Sequence, residues 1–328
     1  MTALVMIDQR PTIDVAAPWI LEGGRPVVGR EGGGRLDAVR DGITRHVGTR
    51  AEAATADDLA VDGTLARLHD PAYLATLDEI SSDVPVLRPD LAAPGMDADV
   101  PVCAGLVQTA REGVRAAITA ATRVADGAPF AYAVSRPPGH HAGPAWFGGY
   151  CYLNTAGAAA LTLLDHGFAT VGILDLDLHY PNGTSAVVGP HERIHLHSLH
   201  ASPVANAPDG RAVPHSEREH LVGFEGVPSA DDYLAAVADA ATQLAGTVDA
   251  VVVSLGYDTV AGDPHGTWDL PPATFRRIGA VLAATGLPLC VVQEGGYGVS
   301  TLADCSHAFV TGLLDGPVGR EHPKGEAP

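Results

Sequence analysis

Two carboxylates and an imidazole close a short apolar run, Val171-Gly172-Ile173-Leu174-Asp175-Leu176-Asp177-Leu178-His179. Read as a strand over Val171–Asp177, alternate side chains share a face, so Asp175, Asp177 and His179 are expected on one side. Charged groups set among aliphatic residues are costly to bury unless they pair or bind a cation. Tyr180-Pro181-Asn182-Gly183 reads as a turn, which puts the polar groups at the C-terminal end of that strand. In open α/β sheets that edge is where ligands bind. The competing reading is a strand that runs out into a solvated acidic loop.

Other apolar runs end in the same way. Ala131–Ser135 leads into Arg136-Pro137-Pro138-Gly139-His140-His141, and Ala250–Ser254 into Gly256-Tyr257-Asp258 and then Gly262-Asp263-Pro264. Leu289–Gln293 leads into Glu294-Gly295-Gly296-Tyr297, where the Gly295-Gly296 pair lets the backbone bend close to a ligand. Gathered at one edge, these groups make a working set. Asp177, His179 and Asp258 offer one nitrogen and two oxygens, a zinc-type set that leaves a position open. Such a metal brings the ionisation of water close to neutrality. His140 and His141 offer a general base and acid. Asp175 and Asn182 are placed to orient those imidazoles, and the Tyr297 hydroxyl to polarise a carbonyl. Amide hydrolysis is the reaction class that uses all of them. Most of the 15 histidines, His191, His215 and His322 among them, read instead as surface residues.

The elements that must position these groups alternate. Ala3–Ile7 reads as a first strand, followed by a Pro- and Gly-rich loop over Asp8–Gly34 and a helix from Leu36 to about His46. Asp70 and Pro71 open a short helix as N-cap and first position. Residues 81–102 read as an extended surface loop and Cys103–Val124 as a long helix. Helices over Thr155–Leu164, Ala230–Leu244, Pro272–Ala284 and Thr301–Leu314 alternate with the strands named above and a further strand over Ile194–Leu199. That rhythm predicts an α/β fold with a mostly parallel central sheet and helices on both faces. No linker divides the chain, so residues 1–328 are expected to form one domain, with a flexible tail over 316–328.

Composition narrows the partners. The 328 residues are 46% hydrophobic, enough for a large core. A formal net charge of −19 argues against nucleic acid, which wants a basic face. Lys324 is the sole lysine. Cys103, Cys151, Cys290 and Cys305 are widely spaced and read as free thiols. The apolar run Ala3–Ile7 is too short for a signal-peptide core, and no run approaches a membrane span. A cytoplasmic protein acting on a small molecule is the expectation; the sequence leaves homo-oligomerisation open.

Arg136–Gly143, Gly148–Asn154, Ile173–His179, Ser198–His200, Gly256–Pro264 and Gln293–Val299 together resemble the zinc-dependent deacetylases of the histone deacetylase superfamily. The wording Gly148-Gly149-Tyr150-Cys151-Tyr152-Leu153-Asn154, with His69–Leu74 and Gln293–Tyr297, is most similar to acetylpolyamine amidohydrolases and the class II branch. The resemblance covers about His69 to Leu314. It implies the arginase/deacetylase-like three-layer fold and single-zinc deacetylation. It matches Asp177, His179 and Asp258 to metal ligands, His141 to the general base and acid, His140 to its electrostatic partner, and Tyr297 to the carbonyl-polarising tyrosine. Tyr150 and Cys151 match the channel wall. Asp175, Ser198 and the carbonyls near Asp177, His179 and Leu199 match a structural potassium site.

The chain departs from the pattern in places. Tyr180-Pro181 stands where the family has His-Gly, Asn154-Thr155 where it has Asn-Asn, and Gly24–Arg35 replaces an N-terminal His-Pro-Glu-Arg-Pro element. His265 falls at the channel rim, where one polyamine-specific type of relative carries a glutamate. The implied activity is removal of a short acyl group from a small amine such as an acetylpolyamine. The alternatives are an acetylated biosynthetic intermediate, acetyl-lysine in protein, a two-metal ureohydrolase of the same fold, or a non-catalytic acyl-ligand binder. For a polyamine, at least two of Glu22, Glu31, Asp97 and Asp99 should face the channel.

Overall fold

The computed structural model describes residues 4–9, 15, 19–93, 98–204, 212 and 214–315. The chain opens with β1 (Leu4–Asp8), an antiparallel hairpin of β2 (Trp19–Glu22) and β3 (Arg25–Val28), α1 (Gly33–Thr44) and β4 (Thr49–Ala53). Helices α2 (Asp58–Leu68), α3 (Pro71–Asp78) and α4 (Ala104–Ala125) lead to β5 (Phe130–Val134). Next come α5 (Thr155–Asp165), β6 (Val171–Asp175), α6 (Asn182–Val188), β7 (Ile194–Ser202) and β8 (Glu219–Glu225). The chain then adds α7 (Ala230–Ala245), β9 (Ala250–Leu255), α8 (Ala273–Ala284), β10 (Leu289–Gln293) and α9 (Val299–Asp315).

Eight strands form one sheet in the order β4-β1-β5-β10-β9-β6-β7-β8, and each pairing is parallel. Parallel neighbours need crossovers, which the helices supply. The strand side chains divide the core by strict alternation. Val5, Ile7, Ala131, Ile173 and Val252 pack with α2 to α6 on one face. Leu4, Met6, Tyr132, Leu174 and Val253 pack with α1, α7, α8 and α9 on the other. Strands β5, β6, β9 and β10 are buried along their whole length, as central strands covered on both faces must be. Their C-terminal ends point the same way, so the polar clusters that follow them meet at one edge.

Several expectations are corrected. Strand β6 stops at Asp175, so Asp175, Asp177 and His179 do not share one strand face. Asp175 Oδ1 accepts the Asp177 N–H (3.2 Å) and Asp177 Oδ1 the His179 N–H (2.9 Å), and these short-range bonds turn the chain out of the sheet. The stretch expected as loop before Gly34 holds the β2–β3 hairpin, and helix α6 begins inside the expected turn. Strands β4 and β8 carry no apolar run because they are the sheet's exposed edges. Asp70 occupies the N-cap of α3 without a side-chain cap bond; Pro71 is at its first turn as expected. The tail over 316–328 lies outside the described residues.

Candidate active site

Asp177 and His179 leave β6 and Asp258 leaves β9, and the three converge. His179 Nδ1 lies 3.1 Å from Asp177 Oδ1 and 3.1 Å from Asp258 Oδ2, and ligand atoms of all three fall within 4.8 Å of one another. Leu178 N–H donates to Asp258 Oδ1 (3.0 Å) and Gly295 N–H to Asp177 Oδ2 (2.8 Å), so backbone from two loops aims both carboxylates. The carboxylates are fully buried, whereas the His179 side chain is 39% exposed toward the cavity. Burial, and then the Asp177 charge, push the Asp258 carboxyl up to about 7. Burial opposes a charge on His179, but hydrogen bonds to Asp177 and Asp258 outweigh it and hold the imidazolium well above its ordinary range. Two carboxylates so placed call for a cation between them, and the His179 proton stands in for one. The donor set fits zinc.

The histidine pair sits beside this group. His141 Nδ1 lies 2.7 Å from Asn182 Oδ1, which makes Nδ1 the donor and leaves Nε2 free to accept. Burial, then the His140 and His179 imidazoles, hold His141 well below its ordinary range, so it stands neutral. His140 faces Asp175 Oδ2 at 3.4 Å and Asp177 Oδ1 at 3.6 Å. Burial works against charge there too, but Asp177 and Asp175 prevail and push His140 up to about 10. Asp175 therefore belongs with His140 rather than with the converging trio. Its Oδ2 makes no aligned hydrogen bond, while Ser198 Oγ pairs with His200 Nδ1 at 2.9 Å and Leu199 is in the core.

Tyr297 reaches the same cavity from the loop after β10. Asp263 Oδ2 accepts the N–H groups of Tyr297 (2.6 Å) and Gly298 (2.8 Å), and its Oδ1 accepts the His265 N–H (2.9 Å). One carboxylate thus sets both the Tyr297 loop and the rim histidine. Arg35 lies 4.4 Å over the Tyr297 ring and donates to the carbonyls of Gly296 and Glu294 at 2.6 Å each. Burial, against the Arg35 charge, pushes the Tyr297 hydroxyl well above its ordinary pKa, so it keeps its proton to donate.

The cavity above the trio has a volume of about 410 Å³. Tyr150, His265 and Tyr297 form one wall, with ring centroids 4.7 to 5.8 Å apart. Tyr150 holds a left-handed φ of 67° next to Gly149, where an added Cβ would lie 2.4 Å from His141 Cδ2. Ala201, Ser202, Pro203 and Val204 also line the cavity, adding small side chains.

Cys151, Gly295 and Gly296, expected on the channel, do not line it. Cys151 is buried behind the wall, its Sγ directed to the Gly149 carbonyl at 3.5 Å. A Cβ on Gly295 would meet Asp177 Oδ2 at 2.5 Å and Asp258 Oδ2 at 2.7 Å, so this glycine backs the carboxylates. One on Gly296 would meet Tyr257. Of the four carboxylates expected at the mouth, Asp99 lines the cavity, and Glu22 stands at the rim 3.8 Å from His265 Nδ1. Glu31 is not there. It is buried at 1% exposure between Arg35 and Arg136, an internal clamp that the i, i+4 spacing of Glu31 and Arg35 hints at. Asp97 lies outside the described residues.

A histidine pair, a protonated tyrosine and a metal-type donor set at the carboxyl edge of a parallel sheet define a metal-assisted hydrolase. The histone deacetylase domain model matches residues 30–313. The chain is 34% identical over 272 residues to acetylpolyamine amidohydrolase 1 of Pseudomonas aeruginosa, covering 73% of this chain and 79% of that one. It is 35% identical over 224 residues to the acetylpolyamine amidohydrolase of Mycoplana ramosa, 62% of each chain. The acetylpolyamine aminohydrolase structure from Burkholderia pseudomallei superposes with a TM-score of 0.82 at 26% identity, across 95% of this chain and 98% of that one. The HD domain of HDA15 shares the fold, with a TM-score of 0.78 at 22% identity, covering 98% of this chain and 92% of that one. The chain belongs to the histone deacetylase family, whose members are zinc-dependent, and it is a deacetylase. That sets aside the ureohydrolase and the non-catalytic alternatives. Among the described residues, no helix is long and apolar enough to cross a membrane.

Proposed function

We propose that this protein removes the acetyl group from acetylated polyamines, with zinc held by Asp177, His179 and Asp258. The observation that carries the chemistry is the convergence of those three ligands beside His141 and Tyr297 in a single cavity. Bound there, zinc would polarise the acetyl carbonyl and acidify water. The neutral His141, oriented by Asn182, takes the proton of the attacking water and returns it to the departing amine nitrogen. The charged His140, paired with Asp175, keeps a positive field beside that transfer. Tyr297 donates a hydrogen bond from its hydroxyl to the oxygen that gains charge, keeping its proton. Asp99, on the cavity wall with its carboxylate 3.2 Å from the Gly149 N–H, offers a negative group for a distal ammonium. The names of the similar relatives point to the same substrate class.

A structural potassium ion beside Asp175, Ser198 and Leu199 belongs to this reading, on the likeness of these positions to the family pattern. Exchange of potassium for choline in the assay buffer should lower activity. The main test is turnover of N-acetylputrescine and N-acetylspermidine by wild type, His141→Ala and Tyr297→Phe. Each variant should lose about 10²-fold or more in kcat with zinc retained, the usual scale for a proton-transfer or oxyanion group. Near wild-type kcat in either variant would refute the assigned roles. Lack of turnover on both polyamines, alongside turnover of a neutral N-acetyl amine, would refute the substrate.

A further inference from the structure

We propose that Glu294 is a positioning residue, whose carboxylate locks the histidine pair to the strand ends that carry the other reactive groups. This rests on the deacetylase reading above. Glu294 is fully buried at the end of β10, three residues before Tyr297, and does not line the cavity. Its Oε2 accepts the N–H groups of Gly139 (2.7 Å) and His140 (3.1 Å). Its Oε1 accepts the hydroxyl of Ser254 (2.8 Å), near the end of β9, and that of Thr155 (3.4 Å), the first residue of α5. Its own N–H donates to the Leu255 carbonyl (2.9 Å), and its carbonyl accepts from Arg35. One side chain thus joins the His140-His141 loop, the strand that leads to Asp258, the start of α5 and the Tyr297 loop.

The histidine loop has need of such an anchor. It lies between β5 and α5 without sheet pairing, and the Gly139 and His140 N–H groups both point at one oxygen. It is also pressed against the start of α5, since a Cβ on Gly139 would lie 2.5 Å from Thr155 Oγ1. Held between these contacts, His141 keeps its reach to the reacting atoms, where a displacement of about 1 Å costs about 10²-fold in rate. An alternative role is metal binding, because His140, Cys151 and Glu294 offer ligand atoms within 4.8 Å of one another. Burial, and then Glu294 itself, push the Cys151 thiol well above its ordinary range. A protonated thiol is a poor ligand, and the Glu294 oxygens are already taken by four donors.

The test compares Glu294→Gln and Glu294→Ala with wild type at pH 8, on N-acetylspermidine and on a fluorogenic acetyl-lysine amide, with bound zinc measured. Glutamine preserves the contacts: its amide oxygen faces the two N–H groups and its NH₂ faces the Ser254 and Thr155 hydroxyls. Glu294→Gln should therefore stay within about threefold of wild-type kcat, while Glu294→Ala loses about 10²-fold. KM should change by less than about threefold and zinc should stay at one equivalent, a split that general loss of structure would not give. Glu294→Ala with wild-type kcat, or with lost zinc, overturns the proposal, as does Glu294→Gln as impaired as Glu294→Ala. If Glu294→Ala does not fold, the pair Ser254→Ala/Thr155→Val removes two donors and leaves the carboxylate. It should lower kcat about tenfold at constant KM, and an unchanged kcat refutes the anchor. Failure of the polyamine reading shows separately, as wild type turning over the fluorogenic amide alone.

Discussion

The floor of the cavity and its mouth are built on opposite principles. On the floor, contacts from neighbouring strand ends hold the reactive groups. Asp177 answers to His179 and Gly295, Asp258 to His179 and Leu178, and the loop after β5 to Glu294. At the mouth, side-chain contacts are looser and more exposed. Glu22 projects from the β2–β3 hairpin with over half its side chain exposed, and the 3.5 Å approach of Tyr150 to His265 is loose. A floor so over-determined keeps one chemistry, whereas a mouth built from a hairpin and loops can change its ligand without disturbing that chemistry. The reaction is therefore read from the floor and the substrate from the mouth.

The largest expected effect breaks the floor without touching a ligand. Gly295→Ala would press a methyl group against both carboxylates, at 2.5 and 2.7 Å. Overpacking of this kind costs about 1–3 kcal/mol, and here it falls on metal geometry. Zinc affinity, measured by competition with a chelator, should drop at least about tenfold, with kcat falling alongside. Unchanged zinc affinity would mean that the floor tolerates movement.

At the mouth, Asp99→Asn should raise KM for N-acetylspermidine about tenfold, roughly the worth of one partly desolvated charge pair, and leave kcat nearly unchanged. A neutral N-acetyl amine should hardly respond. Equal effects on the two substrates would show that Asp99 supports the Gly149 loop rather than reading charge.

The smallest effect concerns His265. Burial lowers its pKa, against the pull of Asp263 and Glu22. It therefore stays neutral down to its ordinary value and below, and gains charge only in more acidic solution. The ratio of kcat/KM for a cationic over a neutral substrate should be flat between about pH 8 and 6.5 and decline only below that window. His265→Gln should abolish the decline. A ratio already falling between pH 8 and 6.5 would place a charged imidazole at the rim.

By itself, the sequence determined the reaction chemistry and the frame that carries it. Strands read over Val171–Asp177, Ala250–Ser254 and Leu289–Gln293, each followed by turn residues and acidic or aromatic groups, were legible because central parallel strands must be apolar on both faces, although the first ends two residues early. Asp177, His179, Asp258, His140, His141 and Tyr297 stood out because polar groups at such ends are costly without a task. Only the tertiary structure decided which groups face one another. It took Asp175 off the strand face it was expected to share with Asp177 and His179, made Glu31 an internal partner of two arginines, and set Gly295 behind the carboxylates. It revealed Asp263 and Glu294 as anchors of whole loops. The edge strands β4 and β8 escaped the sequence because half-exposed strands carry no long apolar run. The physical reason is common to all of these. Local pattern reports whether a side chain is buried, but the identity of its partner depends on contacts between residues distant in the chain.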